Sequence, residues 1–510
     1  MSACKRKLAI SREFTARMPN ELNATKNVTI NNLYFINMMH RGFDLELGAY
    51  PTKKTARHAD PGTSAETASI AARLVLVNGS NNDLSPSSPV DSDNASKCLV
   101  CDGNPALEAL AATSSLLMLQ GPIGPLFQRI SAWKEGLGHQ VLRVIFNAGD
   151  AAYGADTNVL HFRHGQQDWP AYFRSCVLKH EITGVLLFGQ SRFYHREAIH
   201  LCQLMGVRVF VMEEGYVRPG FLTLEMTGVN AASSTLQTHA LSHEGSSRDM
   251  SPASVRWHRL KLTLHATAYY LRLKAGSWTY PKYVHHRHDA LWRYATYWVV
   301  AALVYPLTRW QDKKTLGRLD VSKPYFFVPM QIDSDAQIVF HSRYKNIAEF
   351  IDEVLHSFAN HAPATAQLVI KQHPLARGRL GERQRILRKA VELGIDDRLF
   401  FVHFCKIYEL LDKVAGVVTV NSTVGVQAIA HTASLKIMGQ AIYDHPDVAD
   451  PQPLDSFWVH PRQPDPGRAK AFFKRLKLLT QVPAALYDAA NVPLRWSELI
   501  NSGHRKGKSP

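Results

Sequence analysis

TGVLLFGQSRFYHREAIHLCQLMGVRVFVMEEG, residues 183–215, decides the fold. It opens on TGVLLFG, an apolar run with the length and content of a buried strand. HREAIHLCQLMG then repeats apolar residues at helical spacing, and VRVFVME is a second apolar run. Strand, helix and strand in that order make a βαβ unit of a parallel sheet. Upstream, SSLLMLQ (114–120), LFQRISAWKEGLG (126–138) and QVLRVIF (140–146) continue the alternation. Downstream, a second series holds YFFVPM (325–330), AQLVIK (366–371), RLFFVH (398–403), GVVTV (416–420) and LKIMG (435–439), with helical patterns near 346–360 and 379–393. The expected fold class is α/β, with two Rossmann-like domains.

The rest of the chain divides around these two series. Residues 1–112 are rich in Ser, Asn, Thr, Ala and Asp and are expected to be a disordered extension. The first domain is expected at 113–255, with the polar stretch 236–255 as a loop. A basic aromatic helical segment follows at 256–320, then the second domain at 321–465, then helices and a tail at 466–510. Within 256–318, twelve lysines and arginines face only Asp289 and Asp312, with twelve tryptophans and tyrosines interleaved. Basic helices bordered by Trp and Tyr suit an anionic membrane surface.

The chain has 510 residues, 45% of them hydrophobic, and a formal charge of +16. Such a balance points to an acidic partner: nucleic acid, anionic lipid or a phosphorylated substrate. Because the charge clusters with tryptophans in one segment, no nucleic-acid partner is expected. No run reaches the length of a membrane span, and the first twenty residues lack the apolar core of a secretory signal. A cytoplasmic protein with peripheral membrane contact is expected. The six cysteines fit a reducing compartment; Cys98 and Cys101 form the one close pair, without the second pair that a zinc site usually needs.

Four strand ends carry polar residues: Gln120-Gly121, Asn147 to Asp150, Gly189 to Arg192, and Glu213-Glu214-Gly215. Ligands of open α/β sheets bind at carboxyl ends of strands. Two adjacent acids there place at least one in the cleft, where burial can tune it as a general base; a solvated loop end is the alternative. In the second series, Lys371-Gln372-His373-Pro374 ends a strand, and Pro374 holds His373 extended. That histidine could meet a phosphate or merely be satisfied in its turn. Asn421-Ser422-Thr423 lies between a strand and a helix, where hydroxyls and backbone N–H groups suit a phosphate, or cap the helix. Asp333-Ser334-Asp335 follows another strand. A metal-binding Asp-x-Asp belongs to a single-domain layout, so an aspartate nucleophile in the cleft fits two domains better. No phosphate-binding P-loop and no Gly-x-Gly-x-x-Gly after a strand occurs, which disfavours ATPase and dinucleotide readings.

The stretches LQGPIGPLF, FNAGD, MEEGYVRPGFLTLEMTGVN, KQHPLARG and TVNSTVGVQAIAHTASLKIMGQAIYDHP resemble the capsular polysaccharide β-Kdo transferases of the KpsS and KpsC type. The single catalytic module resembles the KpsS layout more closely. The resemblance implies a GT-B-like fold and transfer of Kdo from CMP-Kdo, with retention, onto a phosphatidylglycerol-type lipid. The reaction would start the oligo-Kdo linker of a capsule, at the inner face of the inner membrane, alongside other capsule biosynthesis and export proteins. No cofactor and no metal are implied. His373, Lys371 and the Asn421-Ser422-Thr423 turn would meet the donor. Glu213 or Glu214 would activate or orient the acceptor, and Asp335 would form the covalent Kdo adduct. Gln120, Asp150, Arg192 and Arg218 would line the pocket, with His195 nearby. A related CMP-sialic-acid-type transferase, or a non-catalytic capsule assembly or export protein, stays open.

Overall fold

The computed structural model describes residues 99–154, 158–241, 250–255, 257–285, 291–333, 336–376, 381–490 and 492–506. Residues 1–98, with most of the expected extension and Cys98, lie outside the described residues. The remainder of that stretch corrects the expectation. Leu99–Cys101 is a strand (β1) and Pro105–Ala112 a helix (α1). Asn104 caps α1 by accepting from Leu107 N at 2.9 Å, and its amide donates to Leu224 O at 3.0 Å. Leu107 and Leu110 are buried. The other end is closed by Lys134, whose Nζ donates to the carbonyls of Leu110, Ala111 and Thr113 at 2.7–2.9 Å. Burial pushes that ammonium down to about 8. A helix of two turns is too short to show its period in the sequence, and its docking partners lie far along the chain.

The first unit continues with β2 (Ser115–Met118), α2 (Leu126–Gly136), β3 (Gln140–Ile145), β4 (Val159–His161), α3 (Trp169–Lys179), β5 (Gly184–Phe188), α4 (Phe193–Met205) and β6 (Arg208–Glu214). β2 is buried at all four positions, as a strand covered on both faces must be. Within this stretch three strands escaped the sequence pattern, the short β4 among them. β7 (Phe221–Met226) folds back antiparallel on β6. β8 (His239–Leu241), inside the expected loop 236–255, pairs with β1 in a separate ribbon.

The basic segment is helical. It holds α5 (His258–Ala275) and α6 (Leu291–Leu316). Its aromatic residues do not all face outward. Tyr269 and Tyr280 are buried against the first unit, whereas Trp257, Trp278 and Trp310 are exposed. On α5, Leu260, Leu264 and Leu271 are also exposed and recur at helical spacing; Leu303 and Leu307 do the same on α6. No helix among the described residues is long and apolar enough to cross a membrane.

The second unit comprises β9 (Tyr325–Pro329), α7 (Ile347–His361), β10 (Gln367–Lys371), α8 (Glu382–Glu392), β11 (Leu399–Val402), β12 (Gly416–Thr419), α9 (Val424–Ala430) and β13 (Leu435–Ile437). Asn346 caps α7 through Glu349 N at 3.0 Å, and Ile347, Phe350, Ile351, Val354 and Phe358 form its buried stripe. The chain ends with α10 (Pro466–Thr480), β14 (Gln481–Pro483) and α11 (Val492–Lys506). This end is more than the expected tail. β14 pairs antiparallel with β7, and Val492 and Trp496 are buried in the first unit's core.

The seven-stranded sheet runs β14-β7-β6-β5-β2-β3-β4, and the five-stranded sheet β11-β10-β9-β12-β13. Counted from β2 and from β9, each contains the parallel order 3-2-1-4-5 of a Rossmann fold. The two Rossmann-like domains of the GT-B-like plan are therefore present, with β7 and β14 added to the edge of the first.

Candidate functional site

In the second sheet, β10, β9 and β12 are neighbours, so their carboxyl ends lie side by side. Three sequence-predicted groups gather there. Lys371, buried, ends β10 and donates to Gln372 O at 3.1 Å. His373 follows; its Nδ1 accepts from Leu375 N at 3.1 Å, which in the neutral ring puts the proton on Nε2. Asn421 follows β12 and is buried. Its Oδ1 accepts from Gln331 Nε2 at 3.0 Å, and its Nδ2 donates to His341 O at 3.4 Å and Gln440 O at 3.3 Å. Asn421 therefore ties together the loops that leave β9, β12 and β13. Ser422 and Thr423 are half-buried and open α9. Ser422 Oγ accepts from Val424 N at 3.3 Å. A side chain on Gly425 would collide with the Tyr443 ring, so the turn and the 439–446 loop pack closely.

Asp335 lies outside the described residues. Its neighbour Asp333 accepts from Ile347 N at 2.9 Å and is engaged at the start of α7. Among the described residues, no group of three or more His, Cys, Asp or Glu is arranged to hold a metal ion.

The first sheet presents its own carboxyl edge. Asp150 is the hub. Its carboxylate accepts from Gln120 Nε2 at 3.0 and 3.1 Å, Asn147 Nδ2 at 2.9 Å, Tyr269 OH at 3.0 Å and Phe146 N at 3.3 Å. Burial raises its pKa, opposed by the bonds from Gln120, Tyr269 and Phe146 and by the nearby Arg192. Gln120 Nε2 also donates to Tyr283 OH at 3.0 Å. Arg192 donates to the carbonyls of Gln120 and Gly121 at 3.3 Å. A small cavity lies here, bordered by Gln120, Gly121, Arg143, Asp150, Tyr153 and Tyr269. Gln120, Asp150 and Arg192 are thus brought together. His195 is buried, donates from Nδ1 to Gly189 O at 2.7 Å, and is held neutral by burial, its pKa lowered to about 3.

Glu213 and Glu214 end β6. Glu214 is exposed and pairs with Arg218 at 2.7 Å; Arg218 also donates through Nε to Gly215 O at 2.7 Å. Arg218 thus braces its own turn. A Cβ on Gly215 would strike the backbone oxygen of Phe221, so the turn admits only glycine there. The two carboxyl edges approach each other where Arg196, on α4, lies 5.8 Å from the ring of Phe340, in the short helix Ala336–His341. That helix begins directly after Asp335.

Sequence reasoning missed Glu225. It is fully buried on β7 and accepts from Tyr216 OH at 2.7 Å and from Ser233 Oγ. Burial raises its pKa to about 7. Gln331, Tyr269 and Tyr283 were also missed as site members. Glu225 sits between leucine and methionine in FLTLEM, and an acid in an apolar strand was the available signal.

A family model described as capsule polysaccharide biosynthesis protein matches residues 183–487. The Escherichia coli capsule polysaccharide export protein KpsS is 35% identical over 75% of this chain and 99% of its own length. The capsule polysaccharide modification protein LipB of Neisseria meningitidis serogroup B is 30% identical over 75% of this chain and 94% of its own. Among solved structures, Thermosulfurimonas dismutans KpsC, described as a beta Kdo 2,7 transferase, aligns with 76% of this chain and 99% of that chain. Its TM-score is 0.36 at 15% identity.

Proposed function

The chain belongs to the capsule polysaccharide biosynthesis protein family, and from that premise we propose that it is a retaining β-Kdo glycosyltransferase. The donor is CMP-Kdo and the acceptor a phosphatidylglycerol-type lipid at the inner face of the inner membrane. One observation carries the reading: Lys371, His373 and the Asn421-Ser422-Thr423 turn converge at adjacent strand ends of a Rossmann-ordered sheet. Such an edge suits a nucleotide phosphate. The choice of Kdo rests on the sequence stretches that resemble β-Kdo transferases.

In this reading Lys371 and His373 balance the charge of the departing CMP phosphate. The Asp335 carboxylate attacks the anomeric carbon of Kdo, and the bond to CMP breaks with its electrons leaving on the phosphate. An acceptor hydroxyl then attacks the same carbon, displaces Asp335 and passes its proton to Glu213 or Glu214. Two inversions give net retention. Gln120, Asp150 and Arg192 shape the acceptor side. The exposed leucines of α5 and α6, with Trp257, Trp278 and Trp310, all among basic residues, rest the enzyme on anionic lipid.

Purified full-length chain is incubated with CMP-Kdo and dispersed phosphatidylglycerol, and CMP release and Kdo-bearing lipid are measured. Both are expected, and Asp335→Ala abolishes both without shifting thermal unfolding. CMP release without Kdo-lipid overturns the acceptor. Preference for CMP-sialic acid in competition overturns the donor.

A further inference from the structure

Tyr216, the residue after the paired-acid glycine, belongs to two structures at once. Its chain position is in the first unit, yet it is buried as a member of the apolar cluster built on the second sheet, which also holds Phe327, Val369 and Val417. Its hydroxyl donates to Glu225 Oε1 at 2.7 Å and accepts from Asn230 N. Asn230 in turn accepts through Oδ1 from Ile442 N of the second unit at 3.3 Å. Glu225 stands on β7 opposite Val211, two residues before Glu213 on β6. Its second oxygen accepts from Ser233 Oγ. The turn Glu213-Glu214-Gly215 is thus anchored at its far end by one hydroxyl on one buried carboxylate.

We propose that Glu225 is a positioning residue: through Tyr216 it fixes the Glu213-Glu214-Gly215 turn against the second unit. The proposal rests on the transferase reading for its catalytic consequence, not for its structural one. Chemistry explains the choice of residue. A carboxyl group offers two acceptor oxygens, here one to Tyr216 and one to Ser233, and so joins two segments at one point. Burying it without a cation is costly, and a fold retains such a group where it specifies one arrangement.

The ionisable groups around it come from each packed element. β6 contributes Glu213, whose charge acts on Tyr216. β14, Gln481-Val482-Pro483, contributes none. α1 contributes only Glu108, which is exposed. On α10, Arg475 is engaged by the carbonyls of Leu236 and His239, and Lys477 lies over the Phe221 ring.

The test uses the full chain with Tyr216→Phe, which keeps the ring and deletes the hydroxyl, beside Glu225→Leu and the conservative Glu225→Gln. Amide hydrogen exchange is read over residues 213–218, together with kcat and donor KM. Tyr216→Phe is expected to speed exchange there by about tenfold. It is also expected to lower kcat by about tenfold with donor KM unchanged, since the acids lose their alignment. Glu225→Leu should act in the same direction and Glu225→Gln should retain most of both properties. Unchanged exchange in Tyr216→Phe overturns the proposal, as does faster exchange with unchanged kcat. A wild-type chain inactive with CMP-Kdo instead refutes the transferase reading, and the exchange result still decides the positioning.

Discussion

Asn421 and Gln331 exchange hydrogen bonds in both directions. Gln331 Nε2 donates to Asn421 Oδ1 at 3.0 Å, and Asn421 N donates to Gln331 Oε1 at 3.3 Å. The side chain read in the sequence as a phosphate contact spends its hydrogen-bonding capacity on the protein. It sets where the Ser422-Thr423 turn stands relative to the end of β9.

Asn421→Ala should therefore act by loosening that edge. The Gln331 amide loses a buried partner, at a cost of about 1–3 kcal/mol. Donor KM should rise more than kcat falls. Denaturant unfolding and donor titration check both. Asn421→Asp should be no milder, because a carboxylate cannot donate to His341 O and Gln440 O.

Glu225 gives a signed pH dependence. Its pKa is about 7 in the fold against an ordinary 4.5. The folded chain thus keeps a proton that the unfolded chain releases. This contribution is complete below the ordinary carboxyl range and is lost as pH rises to about 7, at up to about 1.4 kcal/mol per pH unit. Urea unfolding midpoints from pH 4.5 to 8 should show this fall in the wild type. The difference between wild type and Glu225→Gln isolates it.

Tyr269→Phe should destabilise the chain by about 1.5–3 kcal/mol, the range for a hydrogen bond to a charged group. It removes a donor from the buried Asp150 carboxylate and a tether from α5. Asp150→Asn should cost at least as much, since one amide hydrogen would face existing donors. A melting temperature unchanged in both would refute the role of Asp150 as hub.

Leu264→Glu and Trp278→Ala should weaken binding to vesicles rich in phosphatidylglycerol by about tenfold, as measured by sedimentation. Both residues are exposed, at 60% and 77%, so unfolding should not change. Wild-type binding should fall with added salt. Equal binding to neutral vesicles would show that the helices do not read lipid charge.

Both parallel sheets are legible in the sequence because their strands are continuous apolar runs separated by amphipathic helices. Leu116 to Met118 and Phe326 to Val328 are buried on both faces, as strands of a covered parallel sheet must be. The strand-end positions of Gln120, Asp150, Lys371 and His373 follow from that. The partners of these residues do not. Tyr269 reaches Asp150 across 119 positions, and Gln331 reaches Asn421 across 90. Such pairs are created by packing and leave no local period. β7 and β14 are hidden for a related reason: each is recognisable only beside the strand it completes.

The return of β14 and α11 to the first sheet makes the second unit, in chain order, an insertion. During synthesis, β9 to β13 are all available before Gln481 leaves the ribosome, so the second sheet can close first. The first sheet waits for β14 and for Trp496 to fill its core. A nascent chain cut short after Thr480 would therefore carry a complete second sheet beside an unfinished first one.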